Sequence, residues 1–240
     1  MTQEDLAQKV HAALAADTRI NLDVHPLRIK ATGDGAVVLD GEVSDVAVRK
    51  SALSVAAAVP GVRGIVDRLT IAVSERRGDG AIRDSLVRFV EKESELATCT
   101  LRVRADGRTE TEHDAGPDAA CDVLAEIVDG AITLNGRVIS LSHKRVLGVL
   151  AWWTPGCRDV INGIEVVPDE QDSDDEIVDA VHLVLDMDPL LKAESIGVKC
   201  SDAVVTLEGA VRAEEGSHRA ELDAWCVFGV EKVVNRLRVA

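Results

Sequence analysis

Apolar residues recur along this chain in two alternating rhythms. Leu6, Val10 and Leu14 stand at i, i+4 and i+8, and so do Ile82, Leu86 and Val90, and again Ile177, Val181 and Leu185. That spacing places three apolar side chains on one face of an amphipathic helix of about three turns. The rhythm then shortens to two. Leu27-Arg28-Ile29-Lys30-Ala31 alternates, Gly33-Asp34-Gly35 turns the chain, and a Val-rich strand follows over 36–43. Asp129-Gly130 and Ser201-Asp202 mark the same turn further on. A second helix is predicted over 45–59, 140–154 and 213–227. Small residues such as Ala52 and Ala56, or Ala220 and Ala224, let it lie close to a sheet. A last strand closes each pattern, with Leu69 and Ile71 pointing inward and Thr70 outward.

The two rhythms therefore describe one unit repeated three times. Leu39-Asp40-Gly41 returns as Leu134-Asn135-Gly136 and as Leu207-Glu208-Gly209, at separations of 95 and 73 residues. Gly61, Gly156 and Gly229 keep the same two separations, so both markers share one register. Gly41, Gly136 and Gly209 sit in or at a bend of the second strand, where glycine signals a bulge or a close approach of backbones. Gly61, Gly156 and Gly229 fit the left-handed position that ends a helix. The order helix, strand, strand, helix, strand predicts an α+β chain of three tandem αββαβ two-layer sandwiches, each with two helices on a three-stranded mixed sheet. The modules are expected over 1–73, 79–168 and 172–240. The second holds 19 residues more than the first between its first helix and its Leu-x-Gly. The excess falls around 105–119, as an additional hairpin or an exposed loop. Cys99–Arg104 is either a strand of its own or displaces the expected first strand.

Composition narrows the function classes. With two Phe, three Trp and no Tyr, the cores must be filled by Val, Leu, Ile and Ala, and few rings remain to stack on bases or sugars. The formal net charge is −15, which disfavours a nucleic-acid partner. Over 169–240, 17 acids against 7 bases leave −10, whereas 1–73 is nearly neutral. The five Cys are an odd number with no C-x-x-C pair, which reads as buried free thiols in a reducing compartment. The first residues show no basic and apolar signal pattern, and no apolar run reaches the ~20 residues of a membrane span, so a cytoplasmic protein is expected, with peripheral membrane association open to it.

Asp202-Ala203-Val204-Val205-Thr206-Leu207-Glu208-Gly209-Ala210-Val211, followed by Gly229-Val230-Glu231-Lys232-Val233-Val234-Asn235-Arg236-Leu237, resembles the BON domain family. Three copies in register cover the chain apart from linkers and the insertion. The resemblance implies αββαβ sandwiches without a catalytic centre, a link to envelope integrity, osmotic stress and secretion, and binding of phospholipid or other envelope components. It carries no residue motif for the lipid surface.

The candidate binding residues are Trp152, Trp153, Trp225 and Phe228, clustered at the ends of the second helices. Trp152 and Trp225 share a repeat position held by Ala57 in the first copy. They suit an amphipathic anchor at an interface; packing against the core or a neighbouring module is the competing reading. His11 and His182 read as a solvated helix face, His113-Asp114 as a polar loop, and His143-Lys144-Arg145 with Arg49-Lys50 as charged surface. The acidic run 169–176 reads as a solvated linker leading into a capped helix. No nucleophile elbow, zinc-helix, P-loop or dinucleotide motif is present. The chain is thus expected to be a non-enzymatic binding or scaffold protein, without cofactor or metal. Its candidate partners are phospholipid headgroups or envelope proteins. The alternatives are self-association into a homo-oligomer and, third, an enzyme using the insertion.

Overall fold

The computed structural model describes residues 2–240; Met1, the first residue of the expected 1–73 module, lies outside the described residues. The chain divides into two compact units, 1–73 and 74–240. The first contains α1 (Gln3–Ala16), β1 (Arg28–Ala31), β2 (Ala36–Val43), α2 (Val46–Ala57) and β3 (Gly64–Ile71). β1 pairs antiparallel with β2, and β2 pairs parallel with β3. Leu6, Val10 and Leu14 are buried, and with Val37, Leu39, Ala52, Ala56 and Leu69 they form one core between the two helices and the sheet. Thr2 and Asp5 close a capping box at the start of α1.

The second unit repeats this plan twice. Its first repeat runs α3 (Asp79–Val90), β4 (Cys99–Ala105), β5 (Arg108–His113), β6 (Cys121–Val128), β7 (Ala131–Val138), α4 (Leu141–Trp153) and β8 (Asp159–Val166). Its second runs α5 (Asp174–Met187), β9 (Ile196–Ser201), β10 (Val204–Val211), α6 (Glu214–Cys226) and β11 (Lys232–Val239). The sheet of the second repeat is three-stranded, in the order β11-β10-β9. The sheet of the first repeat departs from the three-stranded expectation: it has five strands, ordered β5-β4-β6-β7-β8. Cys99–Ala105 is a strand of its own, and β6 is the counterpart of β1 and β9. The additional residues fold as a hairpin whose Asp106-Gly107 turn takes positive φ at both positions, and β4 covers the edge that β6 would otherwise expose. Charged Arg108, Glu110 and Glu112 on the new edge strand discourage further pairing.

The repeated sequence marks have specific jobs. Gly136 and Gly209 have φ of 128° and 126°, and a Cβ there would come within 2.1 Å of the Asp122 and Ser195 carbonyl oxygens. Close backbone approach, not a bulge, explains these glycines. Gly41 has more room, with the nearest backbone oxygen, that of Pro26, at 3.2 Å. Gly136→Ala and Gly209→Ala should each lower stability by more than about 2 kcal/mol in thermal unfolding, and Gly41→Ala by less, because only the first two combine backbone strain with a clash against main chain. Equal losses at all three would contradict the close-approach account.

The last strands are tied to the second helices by one polar position. Asn162 donates to the Lys144 carbonyl at 2.9 Å, and Asn235 to the Ser217 carbonyl at 3.1 Å, while each side-chain oxygen accepts the amide two residues on. In the first unit the position is Asp67, which cannot donate. Arg49, at the repeat position of Lys144 and Ser217, donates to it instead at 3.0 Å. Asp79 and Asp174, first residues of α3 and α5, likewise hold the hairpin turns by accepting amides of Asp129 and Gly130, and of Asp202 and Ala203.

Candidate binding surface

Within the 74–240 unit, α4 packs against α5 and α6, and the aromatic candidates lie along this seam. Trp225 is only 2% exposed and belongs to the interior, so it offers no ring to a partner. The packing reading describes it. Trp152 and Trp153 are half-buried against the core of the five-stranded sheet. Trp153 Nε1 donates to Asp223 Oδ1 of α6 at 2.9 Å, which ties the two repeats together. Phe228 alone stands out, 44% exposed, with the Lys144 ammonium 4.5 Å from its ring centroid. Trp225 therefore does not share a surface with the other three.

Arg145 corrects the expectation of a charged surface at the start of α4. It is fully buried. Its guanidinium donates to Asp172 Oδ1 at 2.5 Å, to the Phe228 carbonyl at 3.0 Å and to the Glu176 carbonyl at 3.4 Å. The acidic run is correspondingly less of a solvated linker than it reads. Asp172 pairs with Arg145, Glu170 accepts the Leu141 amide at 2.7 Å, Ser173 caps α5, and Asp174 holds the β9–β10 turn. The Ala203 amide, the Cys200 thiol and the Asp202 amide hold the Asp174 carboxyl below the usual carboxylate range. No sequence signal singles out Arg145, because its partners lie 27 to 83 residues away.

The cysteines also depart from five free thiols. Cys99 and Cys121 face each other in register on parallel β4 and β6, with Cα atoms 4.2 Å apart, and are joined as a disulfide. Cys157, Cys200 and Cys226 lie outside the disulfide. Burial, and then Asp174 beside it, push the Cys200 thiol up to about 11. His11 lies on an exposed helix face, His182 is half-buried, and His113 bonds the Ala97 carbonyl at 3.0 Å.

A concave surface that the sequence did not reveal lies in the last repeat. It is an open groove of about 570 Å³ between the segment after α5, the end of β10 and the first turns of α6. Leu190, Leu191, Val211 and Leu222 give it an apolar floor, and Lys192, Arg212 and Arg219 stand around it. Leu190 is 72% exposed. The volume falls within the range of small-ligand sites. Among the described residues no helix is long and apolar enough to cross a membrane.

Comparison with known proteins bears on what such a surface serves. The BON domain matches residues 2–73, 117–168 and 173–240. No curated protein matches. Among solved structures the chain is similar to the C-terminal domain of CdsD, the structural protein of the Type III secretion system of Chlamydia trachomatis, at 12% identity and a TM-score of 0.24 over 100% of both chains. A second CdsD structure from Chlamydia trachomatis gives 12% identity and 0.25 over 98% of this chain and 92% of that one. Scores this low carry no weight for fold or role. The family matches do: they fall on all three repeats and take in most of the chain. This chain belongs to the BON domain family, as a protein of multiple BON domains.

Proposed function

We propose that this protein is a non-catalytic binding protein whose last repeat takes a phospholipid in the groove beside Leu190, at the periphery of a membrane. BON domains are associated with binding and envelope-related roles, and the family is not an enzyme family. The carrying observation is the pairing of an apolar floor with Lys192 and Arg212, beside Glu215 and an Arg219 paired with Asp188, in the segment of the chain that holds −10 overall. An acyl chain would cover Leu190, Leu191 and Leu222, and a phosphate would meet Lys192, Arg212 or Arg219. The remaining acidic surface keeps the protein from spreading over an anionic bilayer, so the contact is made through this groove to lipids that stay in the bilayer.

Flotation with phosphatidylglycerol and with phosphatidylcholine vesicles at low salt tests this. The wild type is expected to float with vesicles, and Leu190→Glu to lose most of that binding while keeping its circular dichroism. No flotation with either vesicle would rule the lipid reading out. Self-association is the second reading. It is favoured by Val66 and Ile161, which stand exposed at equivalent positions of the edge strands β3 and β8. Light scattering at high concentration separates the two.

A further inference from the structure

We propose that Cys99, Cys121 and His143, with the two thiols reduced, form a site for one soft d10 cation, zinc(II) or copper(I). Three chain segments bring the ligands together: β4 and β6 supply the sulfurs at in-register positions, and the first turn of α4 supplies the imidazole. One ligand atom from each residue lies within 4.8 Å of the other two. Zinc–sulfur bonds of about 2.3 Å at a tetrahedral angle set two sulfurs roughly 3.8 Å apart, which reduced thiols on adjacent strands reach by side-chain rotation alone. Thiolate and imidazole are the donors that select zinc or copper(I) over magnesium or calcium.

The surroundings suit a closed site. Cys99 and Cys121 are buried in the core of the five-stranded sheet, and His143 is half-buried at the start of α4. Its Nδ1 is 2.6 Å from Ser140 Oγ, a contact that fixes the ring as outer-shell bonds fix metal-binding histidines. Two of the remaining cysteines are differently engaged: Cys157 bonds the Asp159 carbonyl, and Cys200 lies against Asp174.

The pair thus has two states. A dithiol reductant gives the disulfide two electrons and two protons, yielding two thiols and leaving as its own disulfide. Cation binding then breaks both S–H bonds, forms two metal–sulfur bonds and releases two protons to solvent.

The whole chain, reduced with dithiothreitol and freed of it by anaerobic gel filtration, is titrated with cobalt(II) as a zinc probe and with copper(I) against a chromophoric chelator. One equivalent is expected, with a thiolate-to-cobalt charge-transfer band in the first case. Cys121→Ser and His143→Gln should each weaken binding by at least roughly tenfold. A chain carrying Cys157→Ala, Cys200→Ser and Cys226→Ser should bind as the wild type does. Oxidised chain should not bind, and it serves as a folded control should Cys121→Ser unfold. Absence of stoichiometric binding by reduced protein, or equal binding by His143→Gln or by oxidised chain, overturns the site and leaves a structural disulfide only.

Discussion

Asp172→Ala is expected to lower the stability of the 74–240 unit by about 2–4 kcal/mol, and adding Arg145→Met is expected to recover part of the loss. Removing one partner of a buried ion pair commonly costs about 3–5 kcal/mol, because the remaining charge stays in a medium that solvates it poorly. Asp172 is 40% exposed, so water can partly replace it, which puts the expectation at the lower end. Arg145 has no such relief. It lies fully buried between α4, the start of α5 and the loop at Phe228. Met at position 145 removes the charge and keeps much of the volume. The double variant then loses two main-chain hydrogen bonds, at about 1 kcal/mol each, instead of burying an uncompensated cation. Denaturant unfolding of the wild type, both single variants and the double variant measures the coupling. Additive losses would mean that Arg145 and Asp172 do not act as a pair.

The second large effect is a pH dependence centred on Asp223. Its carboxyl is 4% exposed on α6, accepts Trp153 Nε1, and faces Asp188, which is itself buried and paired with Arg219. Burial first, and the negative charge of Asp188 second, push Asp223 up to about 7. An unfolded aspartate titrates near 3.9. With the folded value raised, the contribution to stability is fully present below about pH 4 and is lost as pH rises through 7. Asp223→Asn removes the charge and keeps an acceptor for Trp153. The variant should match the wild type near pH 4 and exceed it by roughly 2–4 kcal/mol at pH 8, at about 1.4 kcal/mol per pH unit of displacement. Equal differences at both pH values, or a less stable variant at pH 8, would show that the buried carboxylate carries no such penalty. Because Trp153 belongs to α4 and Asp223 to α6, ionisation would act on the seam between the two repeats.

Both groups depend on partners far away in the chain. His143-Lys144-Arg145 looks like ordinary helix surface, and position 223 is one polar residue in an otherwise apolar column with Val55 and Leu150. The change from an apolar residue at 223 is local, but its partners Asp188 and Trp153 come from the residue that ends α5 and from α4. The groove at Leu190 has the same origin. A linker leucine carries no period, and its exposure depends on how the segment after α5 lies against β10 and α6. Among the aromatics, the repeat placed Trp152 and Trp225 in one apolar column. In the folded chain Trp225 is interior and Phe228 is exposed.

The sequence by itself determined the local elements and their number. The spacings Leu6-Val10-Leu14, Ile82-Leu86-Val90 and Ile177-Val181-Leu185 specify helices because side-chain direction repeats every 3.6 residues, and all nine residues are buried. The strands over 36–43, 131–138 and 204–211, and the glycines at 41, 136 and 209, follow from equally local rules. The repeat itself supplied the αββαβ order and the family. Tertiary structure decided what depends on distant partners: the two added strands of the second sheet, the pairing of Cys99 with Cys121, the burial of Arg145 on an acid from the linker, and the joining of 74–240 into one compact unit. Periodicity reports the face on which a side chain lies. Which other segment covers that face is set by the free energy of packing whole elements together, and no short stretch of sequence contains that information.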